Sequence, residues 1–422
     1  MKKIAISLLA VGVSAALACT NILVTNGTYT SVGRTMDFAI NMGNKMGFGG
    51  VGINNLSNVN LYQSSEAKPL VWTSKYAYIG QTGFQTYVIV DGINTAGVYA
   101  GFLYLPGSTK YPEFNPKDTR DELGVLDTTN YILGSAATVE EAIDSLKQIQ
   151  FVANAVPFNV GGGKIEYLSF PLHCVVRDKK GSSLIIEWID GKTKTYYHAA
   201  NSTKTIEMTN FENPVTHENF NASTLTNAPE YSWHISNLKQ YDKLFNGNND
   251  TKINGLYMNG SGFTGLPGDY TPPSRMARTY TMAKFMPKAQ NQAESDSSAY
   301  SLLEPVITSI ASAPDSTLWI SVSNLKDSIY YWKPMISSNV KNGVIKVAPF
   351  AITSSRVIKF DLNQLKTALG VPRGFLNSTV NRLAPLSKEQ TDKVNDFLQN
   401  AGTKGPLKAN VAYEQNLAEF NK

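Results

Sequence analysis

Residues 19–38 read CTNILVTNGTYTSVGRTMDF, two β-rich runs on either side of the pair Asn26-Gly27. An Asn-Gly pair between such runs is a strong signal for a hairpin with a two-residue loop. In that register Cys19 lies opposite Arg34, and directly opposed residues share one face, with Cβ atoms about 5 Å apart. The stretch therefore predicts an antiparallel hairpin in which a guanidinium lies beside a thiol and favours its thiolate form.

The eighteen residues before this hairpin, MKKIAISLLAVGVSAALA, have the pattern of an export signal. Two lysines precede an apolar run, and Ala16-Leu17-Ala18 forms a small-x-small cleavage box. The apolar run is short for a membrane span, which needs about 20 residues. We therefore expect a signal peptide over residues 1–18 and an exported chain without stable membrane insertion.

A cut after Ala18 would make Cys19 the new N-terminus, and two interpretations of such a cysteine compete. It could be lipid-modified as in bacterial lipoproteins, although their signals usually carry Leu three residues earlier, where this chain has Ala16. It could instead be a nucleophile activated by its own α-amine, whose pKa of about 7.7–8.0 lies near that of a free thiol, about 8.5. A lipid on the amine would abolish that chemistry, so the two interpretations exclude each other.

Asp37 follows Arg34 by three residues, so regular alternation places its side chain on the other face of the strand. It needs a bend or bulge to reach Cys19. Arg34 and Asp37 could also form an ordinary surface ion pair, which contributes little to stability. Their position opposite a cysteine that export would expose favours a functional role.

Composition argues against several other classes of protein. The 422 residues carry a formal net charge of only +5, too mild for a nucleic-acid binder. The two cysteines, Cys19 and Cys174, are too few for a cysteine-based zinc site, and the four histidines form no His-x-x-x-His pair. We expect no metal, no cofactor and no nucleic-acid partner. Cys174 and its neighbour His173 sit in an apolar run and are interpreted as packing residues.

Seven separated blocks follow one another along the chain. They are GRTMDF (33–38) after Cys19, DGINTAGV (91–98), YILGSAATVEEA (131–142), PLHCVVRDKKGSSLIIEW (171–188), MTN (208–210), GLPGDYTPPSR (265–275) and TLWISVSNLKDSIYYW (317–332). In content and order they resemble the choloylglycine hydrolase family, the cysteine N-terminal-nucleophile enzymes that include bile salt hydrolases and penicillin V acylases. This resemblance favours the nucleophile over the lipid anchor.

The resemblance implies a role for four residues around the thiol. Cys19 is the nucleophile and supplies the α-amine as base, and Asp37 holds that amine. Arg34 and Arg275 flank the thiolate and the charge that develops on attack.

The resemblance also implies two oxyanion donors. Asn210, in the MTN block, offers its side-chain amide. The second donor lies in AGFLYLP (100–106), where Tyr104 is the best match through its backbone N–H. Bile salt hydrolases carry Asn there and penicillin V acylases carry Tyr, so simple bile-salt specificity is in doubt.

The family's fold is α+β, the four-layer αββα N-terminal-nucleophile hydrolase fold. We expect the catalytic domain over residues 19–365 and a C-terminal extension over 366–422, with a short helix at 387–398. A capping box at Thr138–Glu141 predicts a helix near residues 139–150. The family also implies a homo-oligomer, a tetramer.

We therefore expect an exported, periplasmic or secreted amidase that cleaves a linear amide through an acyl-cysteine intermediate. Its partner would be a small-molecule amide with an apolar acyl group, such as penicillin V, a conjugated bile salt or an N-acyl homoserine lactone. The alternative is a lipid-anchored, non-catalytic binding protein with the same fold.

Overall fold

The computed structural model describes residues 19–38, 46–59, 68–83, 86–159, 165–246, 252–253, 256–257, 265–307, 316–337, 340–341, 344–345, 352–354 and 357–363. The predicted signal peptide and the predicted helix at 387–398 lie outside these residues. No helix among the described residues is long and apolar enough to cross a membrane.

The described strands are numbered in chain order. They are β1 Cys19–Thr25, β2 Thr30–Phe38, β3 Met46–Gly49, β4 Asn54–Leu56, β5 Val71–Thr73, β6 Tyr78–Thr82, β7 Ile89–Asn94, β8 Val98–Tyr104, β9 Asp121–Gly124, β10 Ile149–Val152, β11 Val156–Asn159, β12 Ile165–Leu168, β13 Leu172–Asp178, β14 Ser183–Ile189, β15 Lys192–His198, β16 Lys204–Thr209, β17 Glu212–Glu218, β18 Thr224–Leu225, β19 Lys252–Ile253, β20 Leu256–Tyr257, β21 Ser316–Asn324, β22 Ile329–Ser337, β23 Val340–Lys341, β24 Val344–Ile345, β25 Ile352–Ser354 and β26 Ile358–Asp361.

Two large antiparallel sheets dominate this part of the chain. One has the order β18-β1-β2-β21-β22-β25, with β26 also paired to β22. The other has nine strands in the order β17-β16-β15-β14-β13-β8-β7-β6-β3. Because β1 lies against β8 and β22 against β7, the two sheets face each other and enclose the core.

The helices cover the outer faces of both sheets. They are α1 Thr128–Ser135, α2 Val139–Leu146, α3 Tyr231–Asn246, α4 Pro272–Phe285 and α5 Gln292–Leu303. Helices α1 and α2 pack on the nine-stranded sheet, α4 and α5 pack on the sheet that contains β1, and α3 packs on α4. The resulting order of helix, sheet, sheet and helix is the predicted four-layer αββα architecture.

The first hairpin forms as predicted but with a longer loop. Thr25 pairs with Thr30, so Cys19 pairs with Met36 and not with Arg34. The Asn26 carboxamide oxygen accepts hydrogen bonds from the backbone N–H groups of Thr28 at 2.9 Å and Tyr29 at 2.8 Å. These bonds stabilise a four-residue turn. The predicted register was wrong by two residues. Because the side-chain period of a strand is two, Arg34 stays on the face of Cys19.

The capping box forms, and the helix that it opens is shorter than predicted. The Thr138 hydroxyl accepts from the Glu141 N–H at 3.1 Å, and the Glu141 carboxylate accepts from the Ala137 N–H at 2.9 Å. Helix α2 ends at Leu146 because the following residues enter β10, which pairs in parallel with β9. The apolar periodicity continues into β10, which is why the sequence predicted a longer helix.

Candidate active site

The thiol of Cys19 is buried at the start of β1, between the two sheets. Its Sγ lies 3.7 Å from Arg34 Nη2 and 3.6 Å from Met36 Sδ, and it also accepts a hydrogen bond from the backbone N–H of Asp37. Burial raises the pKa of the Cys19 thiol, and the positive charges of Arg34 and Arg275 oppose that rise in part. The resting sulfur is therefore a protonated thiol that needs a base before it can attack.

The backbone nitrogen of Cys19, which a cut after Ala18 would convert to the α-amine, donates to Asn227 Oδ1 at 2.5 Å. The same oxygen accepts from Arg275 Nη2 at 3.0 Å, and Asn227 Nδ2 donates to the Tyr104 carbonyl at 2.7 Å. Two donors at one atom of the carboxamide require that atom to be the oxygen, so the network fixes how Asn227 is oriented.

Arg275 joins helix α4 to the start of β1. Its Nη1 donates to the Cys19 carbonyl and to the Thr20 hydroxyl, both at 2.6 Å, and its Nε donates to the Tyr270 carbonyl at 3.0 Å. The side chain is fully buried. Its guanidinium thus holds the backbone on the C-terminal side of Cys19 and places a positive charge near the thiol.

Arg34 is held in place beneath the thiol. Its Nη1 donates to the Val90 carbonyl at 3.0 Å, and its guanidinium lies over the Trp319 ring at 5.7 Å from the centroid. Burial alone would lower the pKa of Arg34, but its electrostatic interactions with the ionisable groups of Cys19, Tyr99 and Asp91 outweigh burial and raise that pKa. The Arg34 guanidinium is therefore charged at ordinary pH.

Asp91, from the DGIN block, is the buried carboxylate near Arg34. Its oxygens accept from the hydroxyls of Tyr99 at 2.5 Å, Ser321 at 2.6 Å and Tyr330 at 2.5 Å. These donors come from both sheets, so the block contributes a polar contact between the layers.

Asp37 lies at an irregularity in the strand pairing, of the kind that the sequence predicted it would need to reach Cys19. In the pairing of β2 with β21, Met36 pairs with Trp319 but Asp37 pairs with Thr317, so one residue of β21 is skipped. The Asp37 carboxylate accepts from the hydroxyls of Thr35 at 2.9 Å and Thr317 at 2.6 Å. Burial raises the pKa of Asp37 to about 6, although Arg275 and the two hydroxyls favour its charged form.

The structure does not place Asn210 in this site, so that assignment is corrected. Asn210 lies in the exposed turn between β16 and β17, where its Oδ1 accepts from the Thr193 N–H at 3.0 Å. The carboxamide that contacts the Cys19 nitrogen belongs to Asn227, in a second Thr-Asn pair that the sequence-based prediction missed. The sequence NFEN (210–213) after Thr209 is typical of a turn, which agrees with the place of Asn210 in the structure.

Tyr104 contributes its backbone to the site. Its carbonyl accepts a hydrogen bond from Asn227 Nδ2. Its N–H points away from β13, because the next N–H, that of Leu105, donates to the Pro171 carbonyl and the N–H groups of successive residues in a strand point to opposite sides. The Tyr104 ring meets the Phe38 ring edge to face, with centroids 6.4 Å apart. Both rings are half-buried, and they lie at the ends of β2 and β8.

Of the six predicted site residues, five therefore lie around one point: Cys19, Arg34, Asp37, Tyr104 and Arg275. Cys174 does not lie with them. It is a buried free thiol in β13, paired with Phe102 and Ile186, and burial raises its pKa.

Comparisons with known proteins agree with this geometry. A family model described as linear amide C–N hydrolases, choloylglycine hydrolase family, matches residues 19–348. A penicillin V acylase from Pectobacterium atrosepticum is 27% identical over 321 residues, which cover 69% of this chain and 72% of the relative. A bile salt hydrolase/transferase from Clostridium perfringens is 26% identical over 273 residues, which cover 62% of this chain and 74% of the relative.

Solved structures show the same fold. A mutant of the conjugated bile acid hydrolase from Clostridium perfringens superposes with a TM-score of 0.57 and 22% identity, covering 82% of this chain and 93% of its own. The penicillin V acylase from Agrobacterium tumefaciens superposes with a TM-score of 0.55 and 21% identity, covering 82% and 86%. Since the family model begins at Cys19 and spans most of the chain, this protein belongs to the choloylglycine hydrolase family of linear amide C–N hydrolases.

Proposed function

We propose that the mature chain begins at Cys19 and is an exported amidase that hydrolyses a linear amide through an acyl-cysteine intermediate. The observation that carries this proposal is the pair of contacts made by one residue. The nitrogen of Cys19 meets Asn227 Oδ1 at 2.5 Å, while its sulfur meets Arg34 Nη2 at 3.7 Å. A base and a nucleophile on the same residue are thus both held by polar partners.

In the first half-reaction the α-amine takes the thiol proton, and the sulfur attacks the amide carbon. The negative charge on the carbonyl oxygen is stabilised by the second hydrogen of Asn227 Nδ2 and by the Tyr104 N–H. When the C–N bond breaks, the ammonium returns its proton to the departing amine. Water then attacks the thioester with the same amine as base, which releases the acid and regenerates the thiol.

The arginines and Asp37 supply the electrostatics of these steps. Arg34 and Arg275 favour the thiolate, which burial disfavours. The Asp37 carboxylate is negatively charged and holds the α-amine of Cys19 when the amine carries the extra proton. The charges are buried, so they act with little screening by water.

The substrate is proposed to be a small amide with an apolar acyl group, for which the Phe38 and Tyr104 rings form one wall. Relatives named penicillin V acylase and bile salt hydrolase support this class. Tyr104 stands at the position where the sequence departed from bile salt hydrolases, which favours penicillin V and N-acyl homoserine lactones over bile salts.

The first prediction concerns the two cysteines. Cys19→Ala should abolish amide hydrolysis, because it removes the nucleophile, and Cys174→Ala should retain activity within about threefold, since Cys174 only packs. Intact-mass analysis of the wild-type chain should give a free N-terminal Cys19. A diacylglyceryl adduct would instead support the lipid-anchored binding protein, and a retained signal would contradict a mature chain that begins at Cys19. Turnover by Cys19→Ala would refute the mechanism.

The second prediction compares the two asparagines. Asn227→Ala should lower kcat about a hundredfold, in line with roughly 3 kcal/mol for one oxyanion donor. Asn210→Ala is the matched control and should behave as wild type, because its side chain serves an exposed turn. Equal effects in the two variants, measured by steady-state kinetics, would contradict the assignment of Asn227.

The third prediction concerns pH. Asp37 is charged above its raised pKa of about 6 and gains a proton below it. Because the amine must be unprotonated to act as the base, kcat/KM should already fall below the pKa of the amine, about 7.7–8.0. If the charged Asp37 carboxylate holds the ammonium that forms when the amine takes the thiol proton, a second and steeper acid limb should appear as the pH drops through about 6. Asp37→Asn should lose most of its activity and also this acid limb. A second limb that persists in the variant would assign it to another group.

The fourth prediction concerns the substrate. Amine release should be measured across penicillin V, glycine- and taurine-conjugated bile salts and N-acyl homoserine lactones. We expect kcat/KM to be at least tenfold higher for penicillin V or an acyl lactone than for a bile salt. A clear preference for bile salts would overturn the interpretation of Tyr104, while leaving the Cys19 mechanism intact.

A further inference from the structure

The peptide groups on both sides of Asn227 are held by buried histidines. His173 Nε2 lies 2.9 Å from the Thr226 carbonyl, and His234 Nε2 lies 2.9 Å from the Asn227 carbonyl. Both histidine side chains are fully buried. A carbonyl oxygen can only accept, so Nε2 carries a hydrogen in each ring.

His173 is in turn held by Glu187. In the register that pairs Cys174 with Ile186, His173 and Glu187 are the next residues along β13 and β14, and His173 Nδ1 lies 3.0 Å from Glu187 Oε1. The Glu187 carboxylate also accepts from the Tyr231 N–H, at 3.1 and 3.0 Å from its two oxygens. Tyr231 is the first residue of α3, so one carboxylate fixes both the His173 ring and the start of that helix.

His234 lies in the first turn of α3 and reaches back to the Asn227 carbonyl. Its Nδ1 has no hydrogen-bond partner among the described residues. Burial lowers the pKa of His234 to about 4, so the ring is neutral at ordinary pH and has a single donor. That donor is committed to the Asn227 carbonyl.

These contacts determine the direction of the Asn227 Cα–Cβ bond. The Thr226 carbonyl belongs to the peptide plane before the Asn227 Cα, and the Asn227 carbonyl belongs to the plane after it. Residues 226–230 lie between β18 and α3, outside any strand or helix, so no ladder orients these two planes. Fixing both planes fixes φ and ψ of Asn227 and hence the direction of its Cα–Cβ bond.

The Asn227 side chain makes three contacts at once, and these require a well-defined direction of its Cα–Cβ bond. It contacts the nitrogen of Cys19, Arg275 in α4 and the carbonyl of Tyr104 in β8 at the same time. Functional groups of this kind must be held within about 0.5 Å of the productive geometry.

We propose that His173, supported by Glu187, and His234 are positioning residues that orient Asn227 toward Cys19 and the reacting carbonyl. This inference rests on the proposed role of Asn227 in amide hydrolysis. Neither histidine touches the thiol or the substrate carbonyl in this scheme, and neither transfers a proton.

The test is a double-mutant cycle on the processed enzyme. His234→Phe and His173→Leu should each lower kcat about tenfold or more, as expected when a buried carbonyl loses its donor, with a smaller change in KM. In the Asn227→Ala background the same substitutions should lower kcat less than threefold, because the group that they position is gone. Equal factors in both backgrounds would overturn the inference, since the histidines would then act independently of Asn227.

Two further variants separate positioning from general damage to the fold. His234→Gln and Glu187→Gln keep a donor or a hydrogen-bond partner at the same place, so each should recover most of the lost kcat relative to His234→Phe and Glu187→Leu. The rate of Cys19 alkylation by iodoacetamide needs the thiol but no oxyanion donor, and it should stay within about twofold of wild type in all of them. A matching loss of alkylation would overturn the inference in favour of a disturbed thiol.

A crystal structure of His234→Phe provides a readout that is independent of the substrate. The Asn227 Oδ1 to Cys19 nitrogen contact should be broken there, and an unchanged contact would overturn the inference. Failure of the proposed function has a different signature: wild-type turnover by Cys19→Ala refutes the mechanism, and wild-type turnover by Asn227→Ala refutes both the oxyanion assignment and the positioning role.

Discussion

The hydrogen bonds of the Asn227 carboxamide are the contact on which the site depends. This one group joins the nitrogen of Cys19 in β1, the carbonyl of Tyr104 in β8 and the guanidinium of Arg275 in α4. Strands β1 and β8 belong to different sheets, and α4 covers the outer face of the first. Three of the four layers therefore meet at a single side chain, and the site can form only when they are packed together.

Buried charge is the second constraint on this fold. Arg34, Arg177 and Arg275 are all fully buried, and burying a cation is costly unless opposite charges or hydrogen bonds compensate for the lost hydration. Arg177 meets neutral oxygens: Asn21 Oδ1 at 3.3 and 3.2 Å, the Ser223 carbonyl at 3.0 Å, and the Ser183 hydroxyl and Ala222 carbonyl. Burial lowers the pKa of Arg177 to about 10.

The position of Arg177 explains why such a costly residue is useful. It binds the carbonyls of residues 222 and 223, which immediately precede β18, and β18 leads into the segment that carries Asn227. Arg177, His173 and Glu187 all project from the hairpin of β13 and β14. These side chains contact residues 222, 223, 226 and 231, so a single hairpin holds the segment of the chain that carries Asn227.

Local sequence signals predicted the parts of this structure that depend on local interactions. The capping box at Thr138 forms, and the family resemblance supplied the layers. The face shared by Cys19 and Arg34 was also predictable, because a register error of two residues leaves the side-chain parity unchanged. The length of the loop was not predictable, because two- and four-residue turns can have similar sequences and the hydrogen bonds of the Asn26 side chain decide between them.

The choice between Asn210 and Asn227 was beyond local sequence signals for a different reason. Both follow a threonine, and what separates them is the set of partners that reach each one from distant parts of the chain. His173, Arg275 and Cys19 lie between 48 and 208 residues from Asn227 in sequence, and they meet it only after the sheets have packed. Asn210 meets Thr193 across one edge of a sheet. Long-range hydrogen bonding, more than residue type, therefore distinguishes the Asn227 amide beside Cys19 from the Asn210 amide of a turn.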